Sequence, residues 1–154
     1  MKRILLSLGL PAAFLIVSLS PASAAKGDLI DVSKVQDSVH ISLGQKAVVA
    51  FDQRGDQLVN PHRLQGAQKR PVVTLEFFAD KKTKDLLVFV IGSSYPRIVR
   101  YRAAARAKHR REFYETNMLP LNPNVPVYEG WSDPFEELIL FDFKLTNEKP
   151  PKTA

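Results

Sequence analysis

Short segments in which apolar and polar residues alternate are the feature that most constrains how this chain can fold. Between positions 38 and 43, Val39, Ile41 and Leu43 alternate with polar residues. A period of two predicts a β-strand with one face on a core and the other in solvent. Residues 86–91 are apolar throughout, which predicts a central strand covered on both faces. We predict strands at 38–43, 46–52, 72–80, 86–91 and 137–145, and a weaker strand at 28–35.

The predicted strand at 137–145 carries apolar residues on both of its predicted faces. Uninterrupted alternation over residues 137–145 separates its side chains into two sets. The same alternation predicts that the neighbours Glu136 and Glu137 point to opposite faces and make a poor acid–base pair. The predicted faces are Ile139, Phe141, Phe143 and Leu145 on one side, and Leu138, Leu140, Asp142 and Lys144 on the other.

Two stretches rich in proline and glycine, residues 53–71 and 119–134, interrupt the predicted strands. Proline cannot donate to a strand ladder, so neither stretch is expected to form a central strand. Seven to nine short strands without a long helix predict an all-β fold, namely an antiparallel β-sandwich with immunoglobulin-like architecture. A small β-barrel is the alternative.

The N-terminus has the three-part layout of a secretory signal peptide. A basic start, Lys2-Arg3, precedes the apolar residues 4–19, and the small residues Ala22-Ser23-Ala24 follow. The apolar run is shorter than the roughly 20 residues that span a bilayer, so we expect cleavage near Ala24 and no transmembrane segment afterwards. The expected product is a bacterial periplasmic or secreted protein. We expect a signal peptide at 1–24, a single β-sandwich domain at 25–148 and a disordered tail at 149–154.

Composition argues against several kinds of chemistry. The chain has no cysteine, which excludes a thiol nucleophile, a redox pair and a thiolate metal site. Its three histidines lie in separate segments, so no metal site is expected. No nucleophile elbow, zinc-protease motif or phosphate loop is present. We therefore expect no catalytic residue, no cofactor and no enzymatic activity. An unrecognised envelope hydrolase remains an alternative, because active sites can be assembled from residues distant in sequence.

Residues 97–111 hold seven basic residues and no acidic one. As a strand, this segment sorts its basic residues onto one face and apolar residues onto the other, whereas a helix scatters them around its axis. The pattern favours a strand, followed by a turn near residues 108–110 and a second strand at 112–118. The candidate binding residues on the basic face are Arg100, Arg102, Arg106 and Lys108.

Three roles for this basic face remain open. A row of cations can bind phosphates or carboxylates. Charge on an exposed strand can also block strand-to-strand aggregation. Finally, an internal acidic cluster could neutralise part of the face. The candidate members of that cluster are Glu129, Asp133, Glu136 and Glu137.

Trp131 is the only tryptophan, and it lies in a segment that contains Gly130 and Pro134. An aromatic residue in such a segment can be the centre of a partner-binding surface. Large aromatic residues are also highly buried on average, so Trp131 could instead cap the core. Both interpretations stay open at this point.

Charge limits the choice of partner. The full chain carries a net charge of +6, and removal of residues 1–24 leaves 20 basic against 16 acidic residues, a net +4. This is mild for a nucleic-acid-binding protein, so no nucleic acid is expected as a partner. The sequence favours a non-enzymatic binding or accessory module of the bacterial envelope with a protein or anionic partner. The alternative is an anionic ligand, a glycolipid or glycan, bound through the basic strand.

Overall fold

The computed structural model describes residues 27–66, 69–83 and 86–148. The predicted signal peptide at 1–24 and the predicted tail at 149–154 lie outside the described residues. Within these ranges, no helix has the length and apolar character needed to cross a membrane.

The described chain is all-β, as predicted. Its one other regular element is a 3₁₀ turn at Val32–Lys34, in which the Asp31 side chain accepts a hydrogen bond from the backbone N–H of Ser33. The strands are β1 (Leu29–Ile30), β2 (Val39–Ser42), β3 (Lys46–Arg54), β4 (Gln57–Arg63), β5 (Val73–Ala79), β6 (Leu87–Ser93), β7 (Ile98–Ala107), β8 (Phe113–Thr116), β9 (Val127–Trp131) and β10 (Phe135–Thr146).

The ten strands form one antiparallel sheet in the order β1-β8-β7-β10-β4-β3-β5-β6-β9, and β2 pairs with β10 beside β4. The terminal strands β1 and β9 do not pair with each other, so the sheet is not closed into a barrel. The strands with a free edge are short, with two residues in β1, four in β2 and five in β9. Short edge strands limit pairing with other chains.

The main core joins strands that are not neighbours in the sheet. Phe51 of β3 contacts Phe143 of β10 with ring centroids 4.6 Å apart, and Tyr101 of β7 stacks on the same ring at 5.6 Å. Trp131 of β9 contacts Phe135 of β10 at 5.8 Å. The sheet therefore folds over on itself, and its two parts bury one common apolar core.

A second, smaller core covers the opposite face of β7 and β10. Ala104 of β7 leaves room there for the rings of Phe113 and Phe141, and all three are buried. Residues of the N-terminal segment, Ile30 and Val32 among them, pack against this cluster. Apolar residues on both faces of β10 are thus explained by two cores, one on each side of the strand.

Strand β10 does not follow the uninterrupted alternation predicted from its sequence. Its pairing with β7 steps three residues, from Phe141 to Lys144, while β7 steps two. The extra residue is a β-bulge, and Asp142 has a φ of 54° there. The predicted division into two faces is therefore wrong, because the bulge reverses the alternation. Leu138, Leu140, Phe143 and Leu145 point into the main core, and Ile139 and Phe141 into the second core.

The prediction that residues 53–71 contain no central strand is also wrong. Strand β4 lies between β3 and β10 in the sheet and includes Pro61. Pairing steps three residues along β4, from Val59 to His62, against two along β3. The proline therefore sits in a bulge, where a missing donor is tolerated. In the second proline-rich stretch, β9 forms at an edge of the sheet, which agrees with the rule.

The strands predicted at 38–43, 46–52, 72–80, 86–91 and 137–145 are confirmed, and the weak segment 28–35 contains β1 and the 3₁₀ turn. The expectation that β6 is covered on both faces is wrong. Phe89 and Ile91 are fully buried in the main core, whereas Val88 and Val90 on the other face are only partly buried. β6 lies next to the edge strand β9 and does not occupy the centre of the sheet.

Two adjacent phenylalanines on β5 test which face of the sheet contacts the main core. Phe77 is fully buried, and its neighbour Phe78 lies half-buried on the outer face. We expect Phe77→Ala to lower the free energy of unfolding by about 3–5 kcal/mol, the usual result of emptying a core site. Phe78→Ala should lower it by less than half as much, measured by urea denaturation of both variants. Equal losses would contradict the assignment, and Phe77→Leu provides the comparison if Phe77→Ala does not fold.

Candidate functional site: the basic strand and its hairpin tip

The basic segment is a strand, as predicted, and the competing helix is not observed. β7 covers Ile98–Ala107, a turn follows at residues 108–109, and β8 begins at Phe113. The face predicted to be apolar is buried in the main core, with Val99 and Ala103 fully enclosed. The opposite face carries Arg100, Arg102 and Arg106.

Arg102 is held by two carboxylates. Its Nε and Nη2 donate to the two carboxylate oxygens of Glu115 on β8 at 2.7 and 2.9 Å, and its Nη1 donates to Asp142 at 3.2 Å. The guanidinium also lies 5.0 Å from the centre of the Phe141 ring. The bond with Arg102 holds the pKa of Glu115 below its usual range. The Glu115 and Asp142 bonds likewise raise the pKa of Arg102.

Arg106 joins three acceptors. Its Nη2 and Nε donate to one oxygen of Glu137 at 2.7 and 3.1 Å, and its Nη1 donates both to Glu136 and to the backbone carbonyl of Arg110. Burial alone would raise the pKa of Glu137. The bonds from Arg106 and from His40, at 3.1 Å, outweigh this effect and hold the pKa below its usual value.

The prediction that Glu136 and Glu137 point to opposite faces is wrong, because both bind the guanidinium of Arg106. The pairing of β10 with β7 skips Glu136, since Phe135 lies opposite Ala107 and Glu137 opposite Arg106. This second bulge turns Glu136 toward the same side as Glu137. These two members of the predicted acidic cluster therefore neutralise part of the basic face.

The remaining arginines near the start of β7 are also paired. Arg100 binds Glu148 at 2.9 Å, and Arg97 binds Asp56 at 2.7 Å and the side chain of Asn147 at 2.8 Å. Surface pairs of this kind typically contribute about 0–1 kcal/mol each. Each of these guanidinium groups therefore has an anionic partner within the chain.

The turn that follows β7 differs from the strand. We call residues Lys108, His109, Arg110 and Arg111 the hairpin tip; all four are exposed. None of their side chains has a hydrogen bond or ion pair with another described residue. The sequence singled out Lys108 but missed Arg110 and Arg111. The predicted turn at 108–110 was the signal that could have found them, since a turn takes its side chains away from the neighbouring strands.

The backbone of the hairpin tip is held by hydrogen bonds, although its side chains have no partner among the residues described. The backbone N–H of Lys108 donates to Pro134 at 2.8 Å, and that of Arg110 donates to Ala107 at 3.1 Å. His109 takes up a left-handed conformation with a φ of 65°. The Nη1 group of Arg106 donates a hydrogen bond to the backbone carbonyl of Arg110. Arg106 therefore positions the hairpin tip, and its own charge faces inward.

Trp131 lies in the core, in agreement with the second of its two interpretations. Only 6% of the residue is exposed. Its ring packs edge-on against Phe77 and Phe135 and stacks with Phe89 at 6.3 Å. A partner has no access to this ring in the folded chain, so Trp131 does not contribute to the candidate surface.

A buried polar pair lies beside this aromatic cluster. The Tyr101 hydroxyl and Oε1 of Glu129 are buried, and neither has a hydrogen-bond partner among the described residues. Burial raises the pKa of Glu129, and a hydrogen bond from the Leu119 backbone only partly offsets this effect. Burial, together with the nearby Glu129, also raises the pKa of Tyr101. Glu129, a member of the predicted acidic cluster, forms no ion pair with β7 in the described ranges, unlike Glu136 and Glu137. A charge that faces inward from an edge strand is a known way to discourage edge pairing.

The structure brings together no group of three or more His, Asp and Glu able to hold a metal ion in the described ranges. His40 bonds to Glu137, and His62 lies 3.5 Å from Asp52.

Comparison with family models, with curated proteins and with solved structures gave no significant match.

The buried carboxyl of Glu129 predicts a specific pH dependence of stability. A carboxyl whose folded pKa is raised loses stability as pH rises from its unfolded pKa of about 4.3 to its folded pKa, and the loss is constant above that. We expect Glu129→Gln to match the parent near pH 4 and to be more stable at pH 7–8, measured by urea denaturation across this range. A Tyr101→Phe control should show no change between these pH values. A Glu129→Gln variant less stable than the parent at pH 8 would refute the prediction.

Arg106 predicts a different stability effect. Its side chain is only 25% exposed, and it bridges two carboxylates and a carbonyl. We expect Arg106→Gln to lower the free energy of unfolding by about 1–3 kcal/mol at pH 7, since it leaves charged hydrogen-bond partners unmatched. The loss should shrink at acidic pH as Glu137 is protonated.

Lys46→Gln is the matched control for Arg106→Gln. Lys46 binds Glu76 at 2.7 Å, but its side chain is 74% exposed. Loss of this exposed pair should change stability by less than about 1 kcal/mol. If both variants lose the same stability in urea denaturation, Arg106 is an ordinary surface charge.

Proposed function

We propose that this chain is an exported, non-enzymatic binding module of the bacterial envelope that attaches to a phosphate-bearing glycolipid surface through its hairpin tip. One observation carries the proposal. The guanidinium groups of β7 are paired with carboxylates, whereas the side chains of Lys108, Arg110 and Arg111 are exposed and have no ion pair with another described residue. Within this hairpin, the cations available to an anion are therefore those of the turn.

The fold part of the proposal is a β-sandwich with immunoglobulin-like architecture. Its support is the main core, which collects side chains from β3, β5 and β6 on one part of the sheet and from β7 and β10 on the other. Two such layers with a shared core and antiparallel strands are typical of sandwiches. The loops and hairpin turns at the ends of a sandwich are its usual binding sites.

Sheet geometry explains why the side chains of the hairpin tip have no carboxylate partner in the part of the chain that the structure describes. β10 begins at Phe135, which pairs with Ala107, the last residue of β7. Residues beyond Ala107 therefore extend past the strand that supplies Glu136 and Glu137 to Arg106. Three permanent charges within four residues can approach a flat anionic surface without the loss of an existing ion pair.

Phosphate is the anion that fits these residue types best. Two of the three permanent cations are arginines, and a guanidinium can bind two phosphate oxygens at once. A short basic segment gains about 1 kcal/mol per Lys or Arg at an anionic membrane surface. The predicted export at the N-terminus supports an envelope glycolipid as the source of phosphate. The absence of a catalytic motif in the sequence supports the non-enzymatic part of the proposal.

Vesicle binding tests the proposal. The triple variant Lys108→Gln, Arg110→Gln and Arg111→Gln should bind vesicles that contain lipid A about 100-fold more weakly than the parent, because three surface charges are lost. Binding by the parent should weaken as salt approaches about 0.15 M and screening shortens the range of these charges. The measurement is co-sedimentation with phosphatidylcholine vesicles with and without lipid A, and with phosphatidylglycerol in its place.

A matched control separates the hairpin tip from net charge. Lys69, Lys81 and Lys82 are exposed loop residues, and their replacement by Gln changes the net charge by the same amount. This control should bind within about threefold of the parent, a difference under about 1 kcal/mol. Equal weakening in both triple variants, or no binding by the parent at low salt, would overturn the proposal. Equal binding to vesicles with phosphatidylglycerol and with lipid A would contradict the choice of a glycolipid and show that the hairpin tip binds any anionic lipid surface.

A further inference from the structure

A cleft opens where β10 passes from one partner strand to the next. Residues 137–140 of β10 pair with β2, and Lys144 pairs with β4. Residues 141–143, which include the bulge at Asp142, have no strand partner on this side. The sheet is therefore split at this point. The resulting cleft has a volume of about 400 Å³, within the range of small-molecule sites.

The polar groups around this cleft are varied and balanced in charge. Asp37 and Asp142 supply two carboxylates, Lys34 and Arg102 supply two cations, and the side chains of Gln36 and Gln57 are amides. Equal numbers of positive and negative groups give no net attraction for an ion. Arg102 is already bonded to Glu115 and Asp142, and Lys34 to Asp31 at 3.2 Å. The groups left for a ligand are the two amides and the remaining lone pairs of the two carboxylates.

The side chains of Val35 and Val59 add apolar surface to the walls, and buried Phe141 and Phe143 lie beneath them. Mixed walls of this kind are suited to a ligand that is polar at its edges and apolar on its faces.

Backbone strain is concentrated around the same cleft. Three of the five non-glycine residues with positive φ in the described ranges are Asp37, Asn60 and Asp142, at 50°, 49° and 54°. Asp37 and Asp142 line the cleft, and the backbone N–H of Asn60 donates to the Asp37 carboxylate at 2.8 Å. Strained residues cluster where a structure must hold groups in a required geometry. Asn60 and Asp142 each lie in a β-bulge, and the hydrogen bond holds Asp37, so the backbone fixes the positions of the two carboxylates at the cleft.

We infer that this cleft binds a neutral, hydroxyl-rich ligand, a saccharide of one or two rings. Hydroxyl groups donate to carboxylates and accept from amide groups, so a sugar can bond to the amides of Gln36 and Gln57 and to the lone pairs of Asp37 and Asp142 that are not already used. The C–H face of a sugar ring can pack on the valines. An extended peptide fits less well, because only three residues of β10 are unpaired here. This site is distinct from the hairpin tip and does not depend on the function proposed for it.

A saccharide titration followed by amide NMR spectroscopy tests this inference. The probes are glucose, N-acetylglucosamine, cellobiose and N,N′-diacetylchitobiose, with glucuronate as the charged counterpart of glucose. At least one neutral sugar should shift amide signals of residues 34–37, 57–59 and 141–143. Asp37→Asn and Asp142→Asn should each weaken this binding at least about tenfold, since each removes a charged acceptor. Asn tolerates the left-handed backbone at both positions, so these variants keep the local conformation.

Two further variants keep the test decisive. Glu76→Gln also removes an ion-paired carboxylate, but on the outer face of β5, and should leave binding unchanged. Gln57→Ala alters the exposed end of β4 and should weaken binding even if an aspartate variant does not fold. The inference is overturned if none of the four neutral sugars shifts the cleft signals, or if glucuronate binds more tightly than glucose. Equal binding by Glu76→Gln and the two Asn variants would overturn it as well.

Discussion

The pairing of β10 along both of its edges is the constraint on which the rest of the structure depends. β7 lies along one edge, while β2 and then β4 occupy the other. One extra residue at Asp142 separates the part of β10 that pairs with β2 from the part that pairs with β4. The bulge also reverses which side chains face the main core, so both halves of β10 contribute to it. Without this reversal, Phe143 would leave the ring cluster that joins β3 to β7.

The same strand determines where positive charge remains available. β10 carries Glu136, Glu137 and Asp142 alongside β7, and β8 adds Glu115 from the other side. Arg102 and Arg106, which the sequence predicts as binding residues, therefore form ion pairs within the sheet. Arg106 also donates a hydrogen bond to the adjacent turn. In this hairpin, the unpaired charges begin beyond Phe135, the first residue of β10. Strand pairing thus determines which cations are available to an outside partner and which stabilise the fold.

Local patterns in the sequence were sufficient for most strands and for the hairpin at 98–116, because alternation and turn formation depend on near neighbours. The same patterns did not identify β4 and β9, which lie in the two stretches rich in proline and glycine. Local patterns were not sufficient for the bulges at Glu136, Asn60 and Asp142, which depend on the register with strands distant in sequence. The predicted acidic cluster includes the partners of Arg106 but not those of Arg102, which lie 13 and 40 residues away and match no local pattern. The burial of Trp131 likewise became clear only from the packing of β9 against distant phenylalanines.

The central claim is that the arginines of β7 are engaged internally while those of the hairpin tip are free to bind. NMR spectroscopy of the guanidinium Nε–H groups tests it most directly, because rotation and proton exchange are slow in a bonded guanidinium. The account predicts slow exchange for Arg102 and Arg106, unchanged when lipid A is added. It predicts fast exchange for Arg110 and Arg111, with shifts on lipid addition. Fast exchange at Arg102 and Arg106, together with shifts at those residues on lipid addition, would contradict the account.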